Sequence, residues 1–140
     1  MRFLHLSDLH LGKRVCEFSM LEDQRHVLSQ VVGLVSERGV DAVLVAGDLY
    51  DKSMPSAEAV ALVDWFLESL AATGAQAVVI PGNHDSAERV AYASGLLGRQ
   101  GIHVAPVYDG HIESVRLADE RGAVDVWPIP YLHISTVRHY

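Results

Sequence analysis

At 140 residues, 49% hydrophobic and 21% charged, the sequence is long enough for one domain with a substantial core, and disordered or fibrous classes are excluded. Eleven basic against eighteen acidic residues give a formal charge of −7, which argues against a surface that is wholly a nucleic-acid-binding patch. A lone cysteine, Cys16, leaves no internal disulfide, no apolar run approaches the ~18 residues of a membrane span and the N-terminus lacks a signal-peptide pattern, so a cytoplasmic location is expected.

In chain order, Met1 to Leu6 reads as a short buried strand, with His5 as a core histidine, and Gly12 as a turn. A helix is predicted from about Met20 to Arg38. Ser19 and Glu22 have capping-box spacing, Leu21, Leu28, Val31, Val32 and Val35 share one face, and Gly39 is a C-terminal stop. Asp41 to Ala46 is the second strand, too short and too β-branched for a helix. The next helix is predicted from about Ala57 to Ala72, capped by Ser56 and followed by Gly74. Its core face is Val60, Val63, Phe66, Leu67 and Leu70. Leu62 and Trp65 project elsewhere, either into a dimer contact or against a neighbouring element. Gln76 to Ile80 is the third strand. Ser86 caps a third helical stretch to about Arg99, loosened at Gly95 and Gly98.

This βαβαβα order predicts an α/β fold with a mainly parallel sheet flanked by helices. After Gly101, three runs read as added antiparallel or mixed strands: Ile102-His103-Val104, His111 to Leu117 and Ala123 to Ile129. Turns at Asp109-Gly110 and at Asp119 to Gly122 join them. In parallel sheets ligands sit beyond the carboxyl ends of the strands. All three early strands end there in chemistry-bearing side chains: Asp8 and His10 after the first, Asp48 and Asp51 after the second, Asn83, His84 and Asp85 after the third.

A carboxylate and an imidazole two residues apart, as in Asp8 and His10, can hold one divalent ion. Asp48 has two oxygens and can bridge two ions, and Asn83 adds a neutral oxygen beside Gly82, which allows close backbone approach. Such a mixed oxygen and nitrogen set suits Mn²⁺, Fe²⁺ or Zn²⁺ better than Ca²⁺. Two ions about 4 Å apart would clamp a phosphate and acidify a bridging water. His84 is placed to stabilise the transition state or protonate the leaving group, with Asp85 or Asp51 to orient it. Asp85 reads equally as a cap for the helix at Ser86, and Asp51 has a similar structural alternative. Lys13, Arg14 and Lys52 follow the first two clusters and read either as phosphate-backbone contacts or as solvated charge. His26, His103, His111, His133 and His139 read as surface or edge residues, and Cys16 as inert.

Singly these signals are weak, but their order and spacing together resemble the first three motifs of the calcineurin-like metallophosphoesterases: Asp8-x-His10, Gly47-Asp48-x-x-Asp51 and Gly82-Asn83-His84-Asp85. Within that superfamily the chain is most similar to the SbcD-type exonuclease subunits, relatives of the Mre-type repair nucleases. That similarity rests on Met1-Arg2-Phe3-Leu4-His5 running into Ser7 to Gly12, on Gly47 to Ser53, on Ile80 to Ser86, and on Pro128-Ile129-Pro130-Tyr131. The resemblance implies a partial metallophosphoesterase β-sandwich. Asp8 and His10 would bind the first of two divalent ions (Mn²⁺ foremost), Asp48 would bridge, Asn83 would bind the second and His84 would act on the transition state. Some relatives carry histidine where this chain has Asp51.

The resemblance further implies DNA as substrate, a role in DNA repair or recombination, an SbcC-type ATPase partner, and a homodimer of the full-length protein. The family completes its site with a lone histidine and a Gly-His-x-His motif, and neither is recognisable here. Gly110-His111-Ile112-Glu113 comes too soon after the third motif. Residues 1–140 are therefore expected to be the N-terminal part of a longer nuclease domain and inactive or weakly active alone. The alternatives are a phosphoprotein or small-molecule phosphatase, and a non-catalytic scaffold.

Overall fold

The computed structural model describes residues 1–140. Four parallel strands form the central sheet in the order β1 (Phe3–Leu6), β4 (Ala42–Ala46), β5 (Gln76–Ile80) and β6 (Ile102–Val104). A short antiparallel hairpin, β2 (Arg14–Val15) with β3 (Phe18–Ser19), follows β1. Helices α1 (Leu21–Arg38) and α2 (Ala57–Ala72) connect β1 to β4 and β4 to β5. A second antiparallel pair, β7 (Val115–Asp119) with β8 (Gly122–Val126), closes through the predicted turn at Asp119–Gly122, and a single turn, α5 (Ile134–Val137), lies near the end.

Alternation along the strands sorts side chains into two layers. Val43 and Val45 of β4 and Ala77 and Val79 of β5 face the main core, with Leu28 and Val35 of α1 and Leu62, Phe66 and Leu70 of α2. Their neighbours Ala42 and Val78 point to the opposite face and bury against Leu117 of β7. Strands covered on both faces need continuous apolar runs, as β4 and β5 have. The result is a helix layer, a parallel sheet and a partial covering by antiparallel strands.

Several elements differ from the sequence expectation. The first strand is shorter than Met1–Leu6 and is not buried: it lies at the sheet edge, and Phe3 and His5 are exposed, so His5 is no core residue. Helix α1 starts at Leu21, with Met20 at the N-cap and no side-chain cap. Ser19 belongs to the hairpin instead, and its hydroxyl lies 3.4 Å from the Leu21 N–H. The expected stop at Gly39 is present, in the left-handed conformation. The third helical stretch breaks into two single turns, α3 (Ala87–Val90) and α4 (Ser94–Leu97), and a 3₁₀ turn at Gly98–Gln100. One break falls at Ala93, whose φ is 59°, rather than at Gly95, and the other falls at the expected Gly98, where α4 gives way to the 3₁₀ turn. The last two strands are each displaced from their expected spans, and the β2–β3 hairpin has no counterpart among the expected elements.

Helix α2 has the expected limits and the expected Ser56 cap, which accepts from the Ala59 N–H at 3.3 Å. Its buried face, however, is rotated. Leu62 is 2% exposed and Val60 is 45% exposed. Trp65 is half-buried, with the Arg25 guanidinium of α1 4.4 Å above its ring. Leu62 is therefore taken by the core and is not available as the dimer contact considered from the sequence, whereas Trp65, beside Arg25 of α1, stays partly exposed. Replacing Leu62 by Ala is expected to cost about 2–5 kcal/mol of unfolding free energy. Val60→Ala should stay within about 0.5 kcal/mol. Urea denaturation of both variants checks this, and equal losses would put Val60 back in the core.

Candidate metal centre

Three loops leave the carboxyl ends of β1, β4 and β5 and are laced together by their backbones. The Asp8 N–H donates to the Gly47 carbonyl at 3.2 Å, His10 to Asp48 at 2.9 Å and Leu11 to Leu49 at 2.8 Å. The Asp51 N–H returns to the Leu11 carbonyl at 3.1 Å, and Gly47 donates to Ile80 at 3.1 Å. Asp8, His10 and Asp48 take φ values of 56°, 43° and 50°, the left-handed region that side chains other than Gly rarely adopt. Each such residue costs about 1–3 kcal/mol and persists only where its surroundings over-determine it. Here the lacing between loops does so.

Asp48 is the one buried charged side chain of the molecule, 7% exposed. Its Oδ1 accepts from the His84 N–H at 2.9 Å, which ties the third loop to the second. Its Oδ2 lies 3.8 Å from His10 Nε2. Gly82 makes this possible: a Cβ there would overlap Asp48 Oδ1. The glycine in front of Asn83 is thus required by the carboxylate it passes.

His10, Asp48 and His84 bring ligand atoms within 4.8 Å of one another. The two imidazoles meet edge to face, with centroids 4.9 Å apart. His10 Nδ1 is buried without a hydrogen-bond partner, and the nearest carboxylate oxygen, Asp51 Oδ1, is 3.9 Å away. A buried carboxylate and an imidazole left short of partners are costly unless a further group completes them. A divalent cation with borderline preference for nitrogen and oxygen fits that set. His84 Nδ1 lies 3.1 Å from the main-chain carbonyl of Asp51, so the backbone of Asp51, rather than its carboxylate, orients this ring.

The other sequence candidates flank this group. Asp8 and Asn83 sit at the ends of β1 and β5 with exposed side chains, outside the cluster of His10, Asp48 and His84. Arg14 and Lys52 line a common groove of about 550 Å³ with Asp51, beside the hairpin. Arg14 also reaches the Glu17 carbonyl, and Lys13 is exposed nearby.

Asp85 has a clear structural task. Its Oδ2 accepts from Gly82 at 2.8 Å and Leu49 at 3.0 Å, and its Oδ1 accepts from Tyr50 at 2.9 Å. One carboxylate thereby fastens the third loop to the second. Burial first, then the carboxylates of Asp85 and Asp64, push the Tyr50 phenol up to about 12, so it is neutral at ordinary pH. Gln24 of α1 is the residue that sequence reasoning missed. Its amide binds the first loop through three main-chain groups, those of Leu9, His10 and Gly12. The available signal was a polar amide within the apolar stripe Leu21, Leu28, Val31 and Val35.

Comparison with known proteins agrees with this architecture. The sequence profile of the calcineurin-like phosphoesterases matches residues 1–134. The SbcD component of the SbcCD nuclease of Staphylococcus epidermidis is 31% identical over 141 aligned positions, which take in all of this chain. The chain spans 37% of the length of that relative. No helix is long and apolar enough to cross a membrane. With a profile matching nearly its whole length, and strand-end loops that gather histidine and aspartate at one point, the chain belongs to the calcineurin-like phosphoesterase family.

Proposed function

We propose that this chain is the metal-binding part of a DNA nuclease subunit that hydrolyses phosphodiester bonds with two divalent ions, Mn²⁺ foremost, in DNA repair and recombination. The observation that carries the reading is the convergence of His10 and Asp48 at the strand ends, with the His84 ring close enough to act beside the ions they would hold. It is supported by the similarity to a relative named as part of the SbcCD nuclease. Asp8 and His10 would hold one ion, Asn83 the other, and Asp48 both. Ions so held would supply positive charge to the phosphate oxygens and acidity to the attacking water. Further histidine ligands would come from chain beyond residue 140.

The chain's own groups then divide the remaining work. Asp48, desolvated and fixed by the His84 N–H, keeps its charge aimed at the centre. His84, held at Nδ1 by the Asp51 carbonyl, turns its Nε2 side free to stabilise developing charge or protonate the leaving oxygen. Asp85 serves by holding the loop that carries Asn83 and His84. Arg14 and Lys52, with Lys13 beside them, would follow the DNA backbone along the groove they share. An SbcC-type ATPase partner and a cytoplasmic location go with this reading. So does a homodimer, for which the exposed Val60 of α2 and Tyr92 in the turn after α3 offer an apolar surface.

Given Mn²⁺, the full-length protein is expected to digest linear duplex DNA far faster than it cleaves p-nitrophenyl phosphate, whereas residues 1–140 alone should digest little. Faster monoester cleavage would point to a phosphatase, and failure to take up any divalent ion to a scaffold. His84→Ala should lower nuclease turnover by about 10²–10⁴-fold and leave Mn²⁺ uptake largely intact, as measured by equilibrium dialysis. Lost uptake would make His84 a ligand instead.

A further inference from the structure

His10 is held in an unusual way for a metal-ligating histidine. Such rings ordinarily donate their second N–H to a carboxylate or carbonyl, which fixes their orientation. Here Nδ1 has no hydrogen-bond partner, and Nε2 is 3.8 Å from Asp48 Oδ2, beyond hydrogen-bond reach. Nothing hydrogen-bonds the ring, and the backbone beneath it is strained, at φ 43°. Beyond its edge-to-face contact with the His84 ring, the ring's position is therefore set by its main chain.

Gln24 grips that main chain. From the half-buried side of α1, its Nε2 donates to the His10 carbonyl at 2.8 Å and to the Leu9 carbonyl at 3.2 Å. Its Oε1 accepts from the Gly12 N–H at 3.0 Å. The three bonds span the ligand residue on both sides. Gly12 itself, at φ 89°, passes so close to α2 that a Cβ would lie 3.0 Å from the Ala59 methyl, so a side chain there would crowd that helix.

We infer that Gln24 is a positioning residue for the metal centre, doing through the backbone of His10 what a hydrogen bond to the imidazole does elsewhere. The inference rests on the proposed centre, in which His10 is a ligand. Losing the clamp should weaken metal binding by about ten- to hundred-fold, the range seen when outer partners of ligands are removed.

The test uses the whole protein and Mn²⁺ alone, followed by electron paramagnetic resonance, with wild type, Gln24→Ala, Gln24→Glu and Asp48→Asn compared. Gln24→Glu keeps the size and the acceptor for Gly12 but sets a carboxylate oxygen against two carbonyls, so it tests the clamp even where the alanine variant fails to fold. Both Gln24 variants should bind Mn²⁺ at least ten-fold more weakly, and the amides of Leu11 and Gly12 should exchange with deuterium faster while the middle of α1 does not change. Wild-type Mn²⁺ affinity in a folded Gln24→Glu protein, with Asp48→Asn still defective, would overturn the role of Gln24 alone. Undiminished affinity in Asp48→Asn as well would overturn the centre and the inference with it.

Discussion

The structure turns on one buried charge. Asp48 follows an apolar strand that is covered on both faces, and a carboxylate buried there is costly unless donors or cations surround it. The His84 N–H supplies one donor, and the His10 ring stands across from the other oxygen. Everything near it is shaped by this need. Gly82 lacks a Cβ because the carboxylate occupies that space, and the third loop is drawn to Asp48 by the His84 N–H. The parallel sheet brings three strand ends to one edge, and the buried carboxylate gives them a common target.

Holding such a site costs backbone strain. Three left-handed residues that are not glycine, Asp8, His10 and Asp48, sit in two adjoining loops. Their strain is offset by backbone hydrogen bonds that run between the loops. Two side chains outside the cluster complete the frame: Asp85, with three N–H partners, binds the third loop to the second, and Gln24 binds the first loop to α1. The loops that carry His10, Asp48 and His84 are thus tied to one another and to α1 by side chains as well as by backbone.

Much of this was legible in the sequence because local rules and motif spacing point the same way. Apolar runs of strand length, ended by Asp8, Asp48 and Asn83, gave the parallel sheet and the edge where ligands gather. The limits of α2 followed from Ser56 and Gly74. What escaped was set by tertiary contact. The face of α2 rotated by a residue position or two because the core takes Leu62 and Arg25 of α1 covers Trp65, and periodicity alone cannot tell which neighbour a stripe meets. Ser19 matches the capping-box pattern, yet a two-residue hairpin claimed it. The first strand looked buried from its apolar letters, while its position at the sheet edge leaves Phe3 and His5 exposed. Asp85 and Gln24 were ambiguous or silent because their partners are backbone groups, which carry no letter in the sequence.

The central claim is that Asp48 is the shared ligand of a metal centre built from three strand-end loops. Anomalous diffraction from crystals of the protein soaked in Mn²⁺ tests it most directly. The expected result is anomalous density on both oxygens of Asp48, one peak toward Asp8 and His10 and the other toward Asn83. Density that avoids Asp48, or no ordered Mn²⁺ at any of these residues, would contradict it.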